Sequence, residues 1–167
     1  PWLVANLHVR RPVDPDRSWD SVIYGSPGLG YVDASHQLTS LSERTVLTYF
    51  RAFGAADVVA TRYELAGQSW ATLASAALLD LRGVHPELAD QTDRIDVMLW
   101  GHAMPRPRPG FIAQDGLEPA LMLADGVAWA HVDQTGYALF EEASDHGVRA
   151  AEAVLAGMQA PAGESFL

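Results

Sequence analysis

Apolar and polar positions alternate from Trp2 to Val9, the period-two pattern of a strand that buries one face. Arg10-Arg11-Pro12 and Asp14-Pro15-Asp16 break that pattern into a loop. Ser21 to Gly25 reads as a short strand, Ser26-Pro27-Gly28-Leu29-Gly30 as turn chemistry, and Tyr31 to His36 as a resumed strand. β-Branched and aromatic residues concentrate over Arg44 to Phe53, the strongest strand signal in the chain. This order predicts an antiparallel meander.

The period then lengthens. Helices are predicted over 56–66 and 68–81, with Leu73, Ala77, Leu78 and Leu81 at helical spacing, Gly83 as a stop and Pro86 beyond it. Asp93 to Trp100 alternates again. Prolines at alternate positions in Met104-Pro-Arg-Pro-Arg-Pro-Gly110 force an extended, irregular segment. Val127 to Val132 predicts a buried strand, Tyr137 to Met158 a last helix, and 159–167 a frayed tail. The predicted class is α+β: an antiparallel or mixed sheet with packed helices, plus a terminal strand-turn-helix that could belong to a separate parallel sheet.

Composition narrows the chemistry. The 167 residues suit one domain of ordinary size, and 49% hydrophobic against 19% charged residues supply a core. A formal net charge of −10 argues against nucleic acid and against an anionic membrane surface as partners. No apolar run reaches the roughly 20 residues of a membrane span, and no signal peptide is visible, so a cytoplasmic location is expected. The absence of cysteine removes disulfides and thiolate metal sites, and the absence of lysine removes Schiff-base chemistry. The start at Pro1, directly on a strand-like pattern, reads as a cut from a longer polypeptide.

The joint from Trp129 to Ala143 carries the most specific signal. A strand, a polar turn with Thr135-Gly136 and a following helix aim unpaired N–H groups and a partial positive charge at whatever lies above the turn. Such an edge suits an electron-rich ring; a plain strand-to-helix connection has the same pattern. Glu141 and Glu142 fall in the first turn of the helix, where negative charge complements the dipole.

The segment Trp129-Ala-His131-Val-Asp133-Gln-Thr135-Gly136-Tyr137-Ala138-Leu-Phe140-Glu141-Glu142-Ala143, continued by Gly147-Val-Arg149-Ala-Ala151-Glu-Ala-Val-Leu155, resembles the C-terminal FAD motif of the flavin-containing amine oxidoreductase family. It is more closely similar to a bacterial branch of NAD(P)/FAD-dependent oxidoreductases. Pro1-Trp-Leu-Val-Ala-Asn6, Gly30-Tyr31-Val-Asp-Ala-Ser-His36-Gln37 and Trp100-Gly-His102-Ala-Met104-Pro-Arg-Pro-Arg108-Pro-Gly110 fit the same branch in order. The resemblance implies hydride transfer from a small-molecule substrate to FAD. It implies a partial substrate-binding domain over 1–124, an FAD-closing strand-turn-helix over 125–158, and a tail over 159–167. His131, Asp133, Thr135, Gly136, Tyr137 and Ala138 would then lie at the cofactor, and His36, Trp100 and His102 at the substrate.

The chain departs from that family in two places. No phosphate-binding GxGxxG is present; Gly25-Ser-Pro-Gly28-Leu-Gly30 has the wrong order and leads into a strand, so it reads as a hairpin turn. The lysine that many members place near flavin N5 is also absent. The FAD-binding Rossmann portion is therefore an expected partner supplied by other polypeptide, and the chain alone is expected to hold FAD weakly or not at all. The alternative is a binding or remnant domain without cofactor.

Other constellations carry less. His36, His102, His131 and His146 lack the helical spacing of a metal site, although a strand would put His131 and Asp133 on one face; no metal is expected. A general-base role for His36 or His102 and a plain hydrogen-bonded role both fit. Arg106 and Arg108 suit an anion clamp or surface ion pairs. No Gly-x-Ser-x-Gly elbow supports a serine hydrolase.

Overall fold

A computed structural model describes residues 1–14, 18–40, 42–54, 57–106, 109–111, 122–124 and 127–159. The fold is α+β, with two compact units, Pro1–Ala103 and Met104–Leu167. The boundary expected at 124 lies inside the second unit. The tail 160–167 and Arg108 fall outside the described residues.

In the first unit, strands β1 (Trp2–Val9), β2 (Asp20–Val22), β3 (Gly30–Asp33), β4 (Thr45–Ala52) and β5 (Thr92–Trp100) form an antiparallel sheet in the order β2-β3-β4-β1-β5. Strands β2, β3 and β4 follow the expected meander. β1 departs from it by inserting between β4 and β5, pairing Leu7 with Leu47 on one side and Ile95 on the other. The interior place follows from burial: Leu3, Ala5, Leu7 and Val9 are all buried, and a strand so apolar on one face is best covered with neighbours on both edges. Gly30 sits at φ +122°, and a Cβ there would overlap the Ser21 carbonyl across the β2–β3 ladder.

Helices α1 (Val58–Ala66) and α2 (Trp70–Leu81) cover the face that carries Leu3, Leu7, Leu47 and Tyr49, contributing Leu65, Leu73, Ala77 and Leu81 to one core. Asp57 caps α1 by accepting from the N–H groups of Val59 and Ala60, and Ser69 caps α2 by accepting from Thr72 N–H. A short helix α3 (Leu88–Gln91), which the alternation did not predict, leads directly into β5. The strand expected over Tyr31 to His36 stops at Asp33. The Asp33 carboxylate accepts from Ser35 N–H and turns Ala34–Gln37 into a 3-10 helix.

The second unit pairs β6 (Met122–Ala124) with β7 (Val127–Ala128) in an antiparallel ladder and ends in α4 (Phe140–Gly157). The buried strand expected over Val127 to Val132 is reduced to two residues, with Val127 and Trp129 exposed. A capping box explains the break. His131 accepts from Asp133 N–H, Gln134 reaches back to His131 N–H, and Val132–Gln134 becomes a 3-10 turn. His131 and Asp133 are therefore not on a strand. α4 starts at Phe140 instead of Tyr137, after Gly136 at φ +76° and extended Leu139. Among the described residues no helix is long and apolar enough to cross a membrane.

Candidate functional site

The face of the sheet opposite α1 and α2 is graded. Register places Trp2 beside Trp100 and Val4 between Phe50 and Met98, so one end of this face is aromatic and apolar. Trp2 meets Phe50 edge to face at 6.5 Å, and half of Trp100 is exposed. The other end is polar. Asn6 accepts from the Thr48 hydroxyl at 2.9 Å, and His8 Nε2 lies 2.8 Å from Asp96 Oδ2, while Asp96 Oδ1 accepts from Arg94. The His8 hydrogen bond, reinforced by Arg94, holds the Asp96 carboxyl below the usual carboxylate range. Sequence reasoning passed over His8 and Asp96. Their period-two positions on two strands were the available signal, but only the pairing of β1 with β5 joins them.

At the aromatic end a cavity of about 380 Å³ opens where β1 and β5 meet α1. Its walls include Trp2, Tyr63, Leu99 and Trp100, with Gly101 and His102 at the end of β5. Arg62 lines it from α1, and its Nε donates to the Gly101 carbonyl at 2.7 Å. The helix thus turns an arginine toward the same side as Val59, Leu65 and Ala66, where helical spacing would place an apolar residue. Arg62 was not among the residues expected at the site for that reason.

Trp100 and His102 are brought together at this cavity. His36 is not. It lies in the 3-10 helix after β3, with Nδ1 2.7 Å from the Asp33 carbonyl and its ring beside Trp19. Asp33 pairs with Leu47, which is level with Leu7, whereas Trp100 is level with Trp2. Five residue rises separate those levels, about 17 Å along the strands, so His36 and Trp100 cannot address one substrate atom.

In the second unit the six expected cofactor residues do fall together, in the turn before α4. Asp133 and Tyr137 are exposed, Thr135 donates to Glu142 at 2.8 Å, and Gly136 is buried. The ring of Phe111 occupies the space that a Cβ on Gly136 would need. The close approach that glycine permits is thus taken up by Phe111. What remains accessible is the start of α4: Leu139 gives no side-chain cap, and Tyr137, Leu139 and Phe140 are exposed, Phe140 at 83%. Uncapped N–H groups beside exposed aromatics fit the edge of a flavin in kind, and Glu141 and Glu142 supply negative charge at the same turn. Behind the turn His146 is 2% exposed, with Nε2 3.3 Å from the Thr135 hydroxyl and 3.7 Å from Glu142.

Among the described residues no group of three or more histidine, aspartate and glutamate side chains is placed to hold a metal ion. In comparison with known proteins, no family model matches this chain and no curated protein matches it.

Proposed function

We propose that the chain forms the substrate-side portion of an FAD-dependent oxidoreductase of the amine-oxidase type. The supporting observation is the meeting of two segments that are far apart in the sequence. Pro1-Trp2 and Trp100-Gly101-His102, both of which carry the resemblance to that family, line one aromatic cavity because β1 pairs with β5. Asp133, Thr135, Gly136, Tyr137 and Ala138, with His131 capping the turn, would hold the edge of FAD, and a Rossmann-type portion would grip its phosphates. Bound FAD supplies the hydride acceptor. The residues of this chain orient the substrate against Trp2 and Trp100, exclude water from the cavity, and offer His102 as a proton carrier. The setting that goes with this reading is cytoplasmic, with a small molecule as substrate.

A second reading, a binding domain without cofactor, draws support from Phe111 lying against Gly136. One experiment separates the two. The chain is produced together with an FAD-binding Rossmann portion of the amine-oxidase type, and the purified complex is assayed for flavin absorbance and for bleaching by candidate amines. A yellow complex that loses substrate-driven bleaching in Trp100→Ala supports the oxidoreductase. A colourless complex that still binds small molecules supports the second reading.

A further inference from the structure

The cavity between α1 and the end of β5 combines features that select a ligand class. Its volume of about 380 Å³ lies at the lower end of the range for small-molecule pockets. Its walls are dominated by Trp2, Tyr63, Leu99 and Trp100, which favour a flat or branched apolar body. Arg62 brings a guanidinium to it, near the amino terminus of Pro1. Among the described residues no carboxylate lies within ion-pairing distance of Arg62, although the chain carries 21 acidic residues against 11 basic ones. Among the described residues this half-buried guanidinium has no anion beside it, and a ligand carboxylate would complete the pair.

The hydrogen bond from Nε to the Gly101 carbonyl fixes the plane of the guanidinium. It leaves the two terminal nitrogens to present the parallel donors that match a carboxylate. We propose that this cavity binds a small monocarboxylate with an apolar or aromatic body, its carboxylate on the Arg62 terminal nitrogens and its body against Trp2, Tyr63 and Trp100. The proposal deepens the reading above by naming the substrate class of the same cavity, but the binding event requires no flavin.

The test uses the purified 167-residue chain and three probes of one shape: phenylacetate, neutral phenylacetamide and cationic phenethylamine. Binding is followed by calorimetry and by tryptophan fluorescence. Phenylacetate is expected to bind most tightly. Arg62→Gln is expected to weaken it by about tenfold or more, the usual worth of a charge-assisted hydrogen-bonded pair, while the amide, which accepts only a neutral hydrogen bond there, loses far less. Arg62→Lys keeps the charge without the fork and is expected to recover part of the loss. Amide binding that survives in both variants shows that the cavity is intact. Equal binding of acid and amide, undiminished acid binding in Arg62→Gln, or no binding of any probe overturns the proposal. A chain that binds phenylacetate through Arg62, while its complex with an FAD-binding Rossmann portion stays colourless, sinks the oxidoreductase and leaves this site standing.

Discussion

The Tyr49 hydroxyl donates to the Asp80 carboxylate at 2.5 Å, and Gly28 N–H donates to the same oxygen at 2.8 Å. One acceptor on α2 therefore ties down the central part of β4 and the turn before β3. Tyr49 is completely buried, so the bond replaces the water it would have had. Tyr49→Phe is expected to lower unfolding free energy by about 1.5–3 kcal/mol, the range for hydrogen bonds to charged groups, in urea titrations with an unchanged m-value. Asp80→Ala is expected to cost more, because it strands both donors.

Alkaline pH probes the same pair. Burial, followed by the Asp80 hydrogen bond and charge, raises the Tyr49 phenol well above its ordinary range. The unfolded chain then releases this proton first. The contribution is complete below about pH 10 and is lost as pH rises from there toward the folded-state value. The fall in stability above about pH 10 is expected to be shallower in Tyr49→Phe than in the parent, measured by denaturant melts at stepped pH.

A histidine shapes the acid side. His85 Nε2 lies 2.9 Å from the Tyr31 hydroxyl, with the two rings edge to face. Burial lowers the imidazole below its ordinary value, against a smaller opposing pull from Glu87 and Asp14. The folded state thus resists a proton that the unfolded state accepts. The contribution is present above about pH 6.5 and is lost as pH falls through the folded-state value. His85→Phe is expected to flatten the stability profile just below pH 6.5, and an identical slope in both proteins would remove His85 as its source.

Gly136 and Phe111 are coupled by space. Gly136→Ala places a side chain at φ +76° and pushes its Cβ into the Phe111 ring. The expected cost is about 1–3 kcal/mol from the backbone alone, with the overlap added. In the double variant Gly136→Ala/Phe111→Ala the overlap disappears, so the two losses are expected to be less than additive in a thermodynamic cycle. Strict additivity would mean that the ring moves aside without cost.

Much of the first unit was legible because burial on one sheet face writes a strong period of two. β1 and β5 are legible within a residue of their ends, whereas the helix starts expected at 56 and 68 fall one residue ahead of the caps Asp57 and Ser69. The insertion of β1 between β4 and β5 was not legible. Several strands share the same alternation, and the choice of partner is made by long-range packing. Local polar chemistry misled at two places: Asp33 and His131 each redirect their own backbone into a 3-10 turn where apolar neighbours suggested a continuing strand. The candidate site divided in the same way. Trp100 and His102, two residues apart in sequence, line the same cavity. Arg62 was missed because it occupies an apolar position of α1, and its role depends on a carbonyl 39 residues away.

Of the five strands, β1 is translated first, yet it can be enclosed on both sides only after Trp100 has been made. Until then the Leu3-Ala5-Leu7-Val9 ridge lacks the partner on one of its edges. The pairing of β1 with β5 spans most of the first unit's sequence, and such high contact order favours slow folding and leaves the ribbon open to pairing with other nascent chains.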